Sequence, residues 1–134
     1  MPGIVVAGLL LGHALIHGSY LMPQPAAKPG APAWPFRLDR SWLLGAIGLP
    51  REISRVLGAG LVVVVMAAFA LAAIASLGIG PTWLWWIGVT IGAMASLAIL
   101  VLYFHAWLVL GIAIDIVLLW SVWVAGWIPD GLGT

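Results

Sequence analysis

The stretch TWLWWIGVTIGAMASLAILVLYFHAWLVLGIAIDIVLLWSVWVAGW, residues 82–127, holds a single charged side chain, Asp115. As one straight helix it would be about 70 Å long at 1.5 Å per residue, more than twice the roughly 30 Å of a bilayer's hydrocarbon core. It must therefore fold back on itself. The break belongs at Tyr103-Phe104-His105-Ala106-Trp107, where amphipathic aromatics and a histidine suit a headgroup layer. That gives two spans, 82–102 and 107–127. Tryptophans support this register: Trp83, Trp85 and Trp86 start one span, and Trp120, Trp123 and Trp127 end the other, so a hairpin brings both groups to one interface.

Working outward, Gly78-Ile79-Gly80-Pro81 reads as a tight turn. Before it lies an apolar span over 52–77, opened by Pro50 and carrying Arg51, Glu52 and Arg55 on its first turn. The first apolar run covers 4–22 and ends at Pro23, and Pro25, Pro29, Pro32 and Pro35 forbid its continuation. No Lys or Arg precedes this run and it contains His13 and His17, a poor match to a cleaved signal peptide, so it is expected to stay as a span. Residues 23–50 form a Pro-rich loop. Within it, 38–48 is too short to span, and its charged start followed by Trp42 and leucines suits a short interfacial helix as well as an ordered loop. The expectation is an all-α integral membrane bundle of four transmembrane helices in a single domain, 1–134.

Composition agrees. The chain is 64% hydrophobic and 7% charged, against roughly a quarter charged in soluble domains. A net charge of +1 gives nucleic acid no electrostatic hold. The absence of cysteine removes disulfides, thiolate metal sites and cysteine nucleophiles. All five cationic side chains (Lys28, Arg37, Arg40, Arg51, Arg55) fall in the first loop or the turn after it. The positive-inside rule then places that loop in the cytoplasm and both termini outside. Arg37, Arg40, Arg51 and Arg55 around Trp42 would meet anionic lipid headgroups, although setting topology alone accounts for the charge. Small residues spaced by four (Gly8 and Gly12; Ala68, Ala72 and Ser76; Gly88, Gly92 and Ser96) let helices approach closely, and packing within the bundle is favoured over self-association.

The chemistry-bearing residues are few. His13 and His17, four apart, share a helix face. Asp115 is costly at bilayer depth, so it should point inward and have a partner. Met22 lies nine positions after His13, and Asp115 nine positions after Ala106, at ends on the same side. His13 and Asp115 thus share a depth of about 13 Å. A polar cluster of His13, His17 and Asp115 is expected, with His105 and Tyr20 at its mouth.

Such a cluster suits a proton or ion relay. It also offers three ligands to a metal ion, which makes a metal-binding or redox component the alternative. A purely structural pair that sets helix registry is the third reading. Haem would need His105 opposite the first span, and His105 lies too shallow. Enzyme signatures are missing: the His-x-x-x-His lacks the glutamate of zinc proteases. Three histidines cannot build the two-iron centre of membrane desaturases, and no serine sits in a Gly-x-Ser-x-Gly elbow. No phosphate loop or dinucleotide fingerprint is present.

The His-rich first span (Gly12-His13-Ala14-Leu15-Ile16-His17-Gly18) and the acidic last span (Gly111-Ile112-Ala113-Ile114-Asp115) resemble small bacterial four-helix membrane proteins of the broad DoxX-like type. The resemblance covers the overall plan of the chain through short motifs, and the Pro-rich first loop departs from it. It implies a four-helix bundle in a bacterial plasma membrane and no defined activity. The functional expectation is a small membrane protein, either an accessory subunit or a proton- or ion-handling bundle. Its partners would be the bilayer and another membrane protein or a second copy. It would require no cofactor, a metal ion being the one with a ligand set.

Overall fold

The computed structural model describes residues 1–26, 29–30, 32, 34–130 and 132. Among the described residues there are five α-helices: α1 (Gly3–Gly18), α2 (Trp42–Ala46), α3 (Arg51–Ser76), α4 (Thr82–Leu102) and α5 (Val109–Trp123). Short 3-10 turns extend α1 through Ser19–Leu21 and precede α5 at Ala106–Leu108. Four of the resulting segments are long and apolar enough to cross a membrane: Gly3–Leu21, Arg51–Ser76, Thr82–Leu102 and Ala106–Trp123. The outward faces carry Ile4, Leu9, Leu15, Val56, Val63, Leu110 and Val117, all well exposed. Such a surface has hydrocarbon, not water, as its natural solvent.

The four long helices form a bundle in which α3 and α4 are the central pair, α1 packs on α3 and α5 packs on α4. Small residues set the central approach. A Cβ on Gly88 would stand 2.9 Å from the Ala68 carbonyl oxygen, and one on Gly92 would stand 2.6 Å from the Phe69 ring. Ala68 and Ala72 are buried against this seam, while Ser76 is buried against α1, its hydroxyl 3.1 Å from the Gly3 carbonyl oxygen. The same expectation fails for α1: around Gly8 and Gly12 nothing lies within 4 Å, so that pair faces outward. The close contact of α1 is made instead by Gly3, where a Cβ would run into the Ser76 carbonyl oxygen. Four-residue spacing identifies a narrow helix face, but two such faces competed on α1, and the histidine face is the one turned inward.

The turn between α4 and α5 falls where the aromatic cluster placed it. Gly78 and Gly80 take positive φ (78° and 96°) in the turn between α3 and α4. Helix ends differ from the hydropathy reading. α2 covers 42–46 rather than 38–48, because Ser41 caps it by accepting from the Leu44 N–H at 3.1 Å. Leu38 is buried in the core ahead of it. α5 ends at Trp123 rather than Trp127. Gly126 adopts φ 58°, and the Trp127 N–H donates back to the Ser121 carbonyl at 2.8 Å, the geometry of a glycine-terminated helix. Trp127 then folds onto Trp85, ring centroids 5.6 Å apart, and its carbonyl accepts from the Trp85 indole. Trp85 is fully buried, so it is a core residue and not an interfacial anchor.

The first loop is tied to the end of α4. The last carbonyls of a helix lack partners within it. Ser41 Oγ donates to the Leu102 carbonyl and the Trp42 indole to that of Val101, each at 2.6 Å. The Tyr103 hydroxyl donates to the Ser54 carbonyl, and Ser54 Oγ donates to the Leu38 carbonyl at 3.0 Å. These bonds hold the loop across one end of the bundle. At the other end the two chain ends meet, where Pro2 and Asp130 form a parallel bridge.

Candidate functional site

His13, His17 and Asp115 converge in the bundle interior, and all three are buried, Asp115 completely. His13 Nε2 lies 3.1 Å from Asp115 Oδ1. Direct contact between α1 and α5 at this level is made by these side chains. Gly111, one turn before Asp115, helps to make room: a Cβ there would press on Leu100 at 3.0 Å and lie 3.8 Å from the His13 ring. Phe69 closes the cluster from α3, edge-on to His13 at 5.3 Å.

The residue at the centre is Ser96 of α4. Its hydroxyl donates to Asp115 Oδ2. Its oxygen lies 2.7 Å from His17 Nε2 and 3.4 Å from His13 Nε2. A serine hydroxyl has one proton to give and two lone pairs. With its one proton donated to the Asp115 carboxylate, the oxygen can only accept from the imidazoles, which assigns the His17 hydrogen to Nε2. His17 Nδ1 is then a bare acceptor. It is buried and has no partner among the described residues. The sequence presented Ser96 only as a small residue on the Gly88–Gly92 face. Its position, six residues inside the end of α4, put it at nearly the depth of Asp115, and that coincidence was the available signal.

Above His17 lies a cavity of about 450 Å³ between α1, α5 and the first loop. His13, His17, Tyr20, Trp34, Phe36 and Trp107 line its wall together with Leu100, Gly111 and Ile114. The Tyr20 ring stacks over His17 at 6.2 Å and meets Phe36 edge-on at 5.3 Å. Tyr20 thus stands beside the cluster and is buried. His105 does not line this cavity. It turns to its own loop, where Nδ1 accepts from the Trp107 N–H at 3.3 Å and the ring packs on Trp107.

The cluster also satisfies a donor-count test for a metal ion: one ligand atom from each of His13, His17 and Asp115 falls within 4.8 Å of the others. Two imidazoles and a carboxylate fit a borderline divalent ion such as zinc or iron.

Among the loop arginines, Arg37 is not free for lipid. Its guanidinium grips Asp39 with two bonds, 3.1 and 2.8 Å. The Arg37 hydrogen bond holds the Asp39 carboxyl down at about 2, helped by Gln24, and raises Arg37 in turn. Arg40, Trp42 and Arg51 instead border a second, shallow depression shared with Ser54. Arg55 is exposed on the first turns of α3. Lys28 lies outside the described residues. No protein-family model, curated protein or solved structure matches this chain.

Proposed function

We propose that the protein is a proton-handling membrane bundle whose working unit is His17, Ser96, Asp115 and His13. One observation carries this reading: a continuous hydrogen-bonded chain runs from an unpartnered imidazole nitrogen, through a serine hydroxyl, to a buried carboxylate. A proton delivered to His17 Nδ1 allows the Nε2 proton to pass to Ser96 Oγ and the serine proton to pass to Asp115 Oδ2. His17 ends neutral in its other tautomer, and Asp115 ends protonated. His13 stays hydrogen-bonded to Oδ1 throughout and steadies the carboxyl in both states. Each hop needs only a short hydrogen bond between aligned groups, and intramembrane ionisable residues are functional candidates by default.

With the first loop in the cytoplasm, as its basic side chains favour, the relay opens to the cytoplasmic side of a bacterial plasma membrane. The protein would then serve either alone or as an accessory subunit that holds a proton for a membrane partner. Infrared difference spectroscopy between acid and alkaline buffers tests this. Wild type should show a buried carboxyl band appearing together with an imidazole tautomer change, and both should vanish in Asp115→Asn. A silent carboxyl, or an imidazole change indifferent to Ser96→Ala, refutes the relay and leaves a registry role for the pair.

A metal site is the second reading, favoured by the three convergent ligand atoms. Elemental analysis of the purified protein decides it. Stoichiometric metal lost in both His13→Ala and Asp115→Ala would replace the relay with a metal centre.

A further inference from the structure

Three buried polar atoms find no partner among the described residues: His17 Nδ1, Tyr20 Oη and Trp34 Nε1. All three residues line the one cavity between α1, α5 and the first loop. Leaving a buried polar group unpaired costs about 1–3 kcal/mol, so three around a single cavity are an arrangement that wants an occupant. Their chemistry is mixed. The Trp34 indole can only donate, the Tyr20 hydroxyl can donate or accept, and His17 Nδ1, in the tautomer fixed by Ser96, can only accept. A carbonyl would satisfy the donors and leave His17 bare. A hydroxyl satisfies both kinds at once.

The remaining wall is apolar and aromatic, from Phe36, Trp107, Leu100 and Ile114. Its rim carries Ile16 and Leu110, which are 52% and 71% exposed and face the lipid side of the bundle. A molecule dissolved in hydrocarbon can therefore enter between α1 and α5. Ligand sites of this kind are concave, mostly apolar and fitted with a few convergent polar groups.

We propose that this cavity binds a membrane-dissolved molecule with a hydroxyl-bearing aromatic ring. The ring packs among Phe36, Tyr20 and Trp107, and its hydroxyl donates to His17 Nδ1 while accepting from the Trp34 indole or the Tyr20 hydroxyl. The apolar tail leaves past Ile16 and Leu110 into lipid. This rests on the tautomer assigned to the relay and names the molecule whose hydroxyl faces its entry atom.

The test uses full-length protein in micelles with three probes: 4-nonylphenol, its methyl ether 4-nonylanisole, and nonylbenzene. Nitrogen-15 shifts of the His17 imidazole and the Trp34 indole report binding. The phenol should move both resonances saturably. The ether, with no proton to donate, should bind about ten-fold more weakly and leave His17 Nδ1 unmoved. Nonylbenzene should move neither. Trp34→Phe, a change in the loop outside the spans, should weaken the phenol about five- to ten-fold. Equal binding of all three probes, or a phenol that leaves His17 Nδ1 still, overturns the proposal. The relay is read separately by the Asp115 carboxyl band, so phenol binding beside a silent Asp115 sinks the relay alone. A titrating Asp115 with no phenol binding sinks the ligand site alone.

Discussion

Replacing Ser96 by alanine removes one oxygen and disconnects three groups. Asp115 Oδ2 loses its donor, and His17 Nε2 loses its acceptor at 2.7 Å. His13 keeps Asp115 Oδ1 at 3.1 Å, so its loss is the weaker 3.4 Å contact. Two buried groups are thus orphaned, at about 1–3 kcal/mol each in a protein interior. Polar bonds between helices in membranes average nearer 0.6 kcal/mol, because the dissociated helices also find partners. The expected loss for Ser96→Ala is therefore about 1.5–4 kcal/mol, above the sub-kilocalorie effect of Ser121→Ala, whose hydroxyl only returns to the Leu118 carbonyl of its own helix. Unfolding in mixed detergent micelles measures both. A double-mutant cycle with Asp115→Asn isolates the joint, with a coupling of about 1–3 kcal/mol expected between directly bonded groups. If the two changes simply add, Ser96 does not join His17 to Asp115, and the relay loses its middle step.

The glycines on either side of the bundle should behave oppositely. Gly88→Ala drives a Cβ into the α3 backbone at 2.9 Å and is expected to cost about 1–3 kcal/mol in the same unfolding assay. Gly12→Ala meets nothing and should be neutral or stabilising by up to about 1 kcal/mol through helix propensity. Reversed signs would mean the inward and outward faces are misassigned. Asp39 gives a pH dependence: because its folded value of about 2 lies below the unfolded one, its contribution is present above about pH 4 and is lost as pH falls through 2. The pair is partly exposed, so Asp39→Asn should cost less than about 1 kcal/mol at neutral pH, and the difference should vanish in strong acid. A gap between wild type and variant that widens on acidification contradicts the pairing with Arg37. Ser41→Ala should loosen the first loop from α4, because the Leu102 carbonyl loses its donor, and limited proteolysis in that loop should accelerate.

The fold was legible because hydrocarbon imposes a length. A run with one charge over residues 82–127 had to turn, and the aromatic cluster located the turn within a residue or two. Helix ends were less legible because they are set by single caps. Ser41 and Gly126 end their helices through local hydrogen bonds that hydropathy does not register. The juxtaposition of His13 with Asp115 followed from depth alone, since rise per residue converts sequence distance into height. Rotation about the helix axis was harder. Spacing said that His13 and His17 share a face and that Gly8 and Gly12 share a face, without saying which face α3 and α4 would cover. Ser96 was overlooked for a related reason: a small residue on a packing seam and a hydroxyl serving a buried carboxylate have the same appearance in sequence. The cavity depended on Trp34 and Phe36 reaching over from a Pro-rich loop, a tertiary event with no periodic signature.

The interior on the far side of the cluster decides what kind of proton handling is open to this bundle. Beyond His13 toward the chain ends, the buried layer is built from Leu10, Val6, Phe69, Ala72, Val89 and Val122. Trp85 lies at its far edge, with its indole already bonded to the Trp127 carbonyl. None of the side chains in that layer can pass a proton. A proton stored on Asp115 is therefore walled off on that side by apolar packing, and the open face is the cavity beside His17. That asymmetry argues against a through-channel and for a store filled and emptied from one side. Carrying a proton across would require either a water file through a rearranged Phe69–Val89 layer or a partner that approaches the exposed face of α5. In liposomes the protein alone should accordingly leave an imposed proton gradient intact, while taking up protons on acidification from the side bearing the first loop. Rapid gradient collapse, sensitive to Asp115→Asn, would show instead that this apolar layer opens.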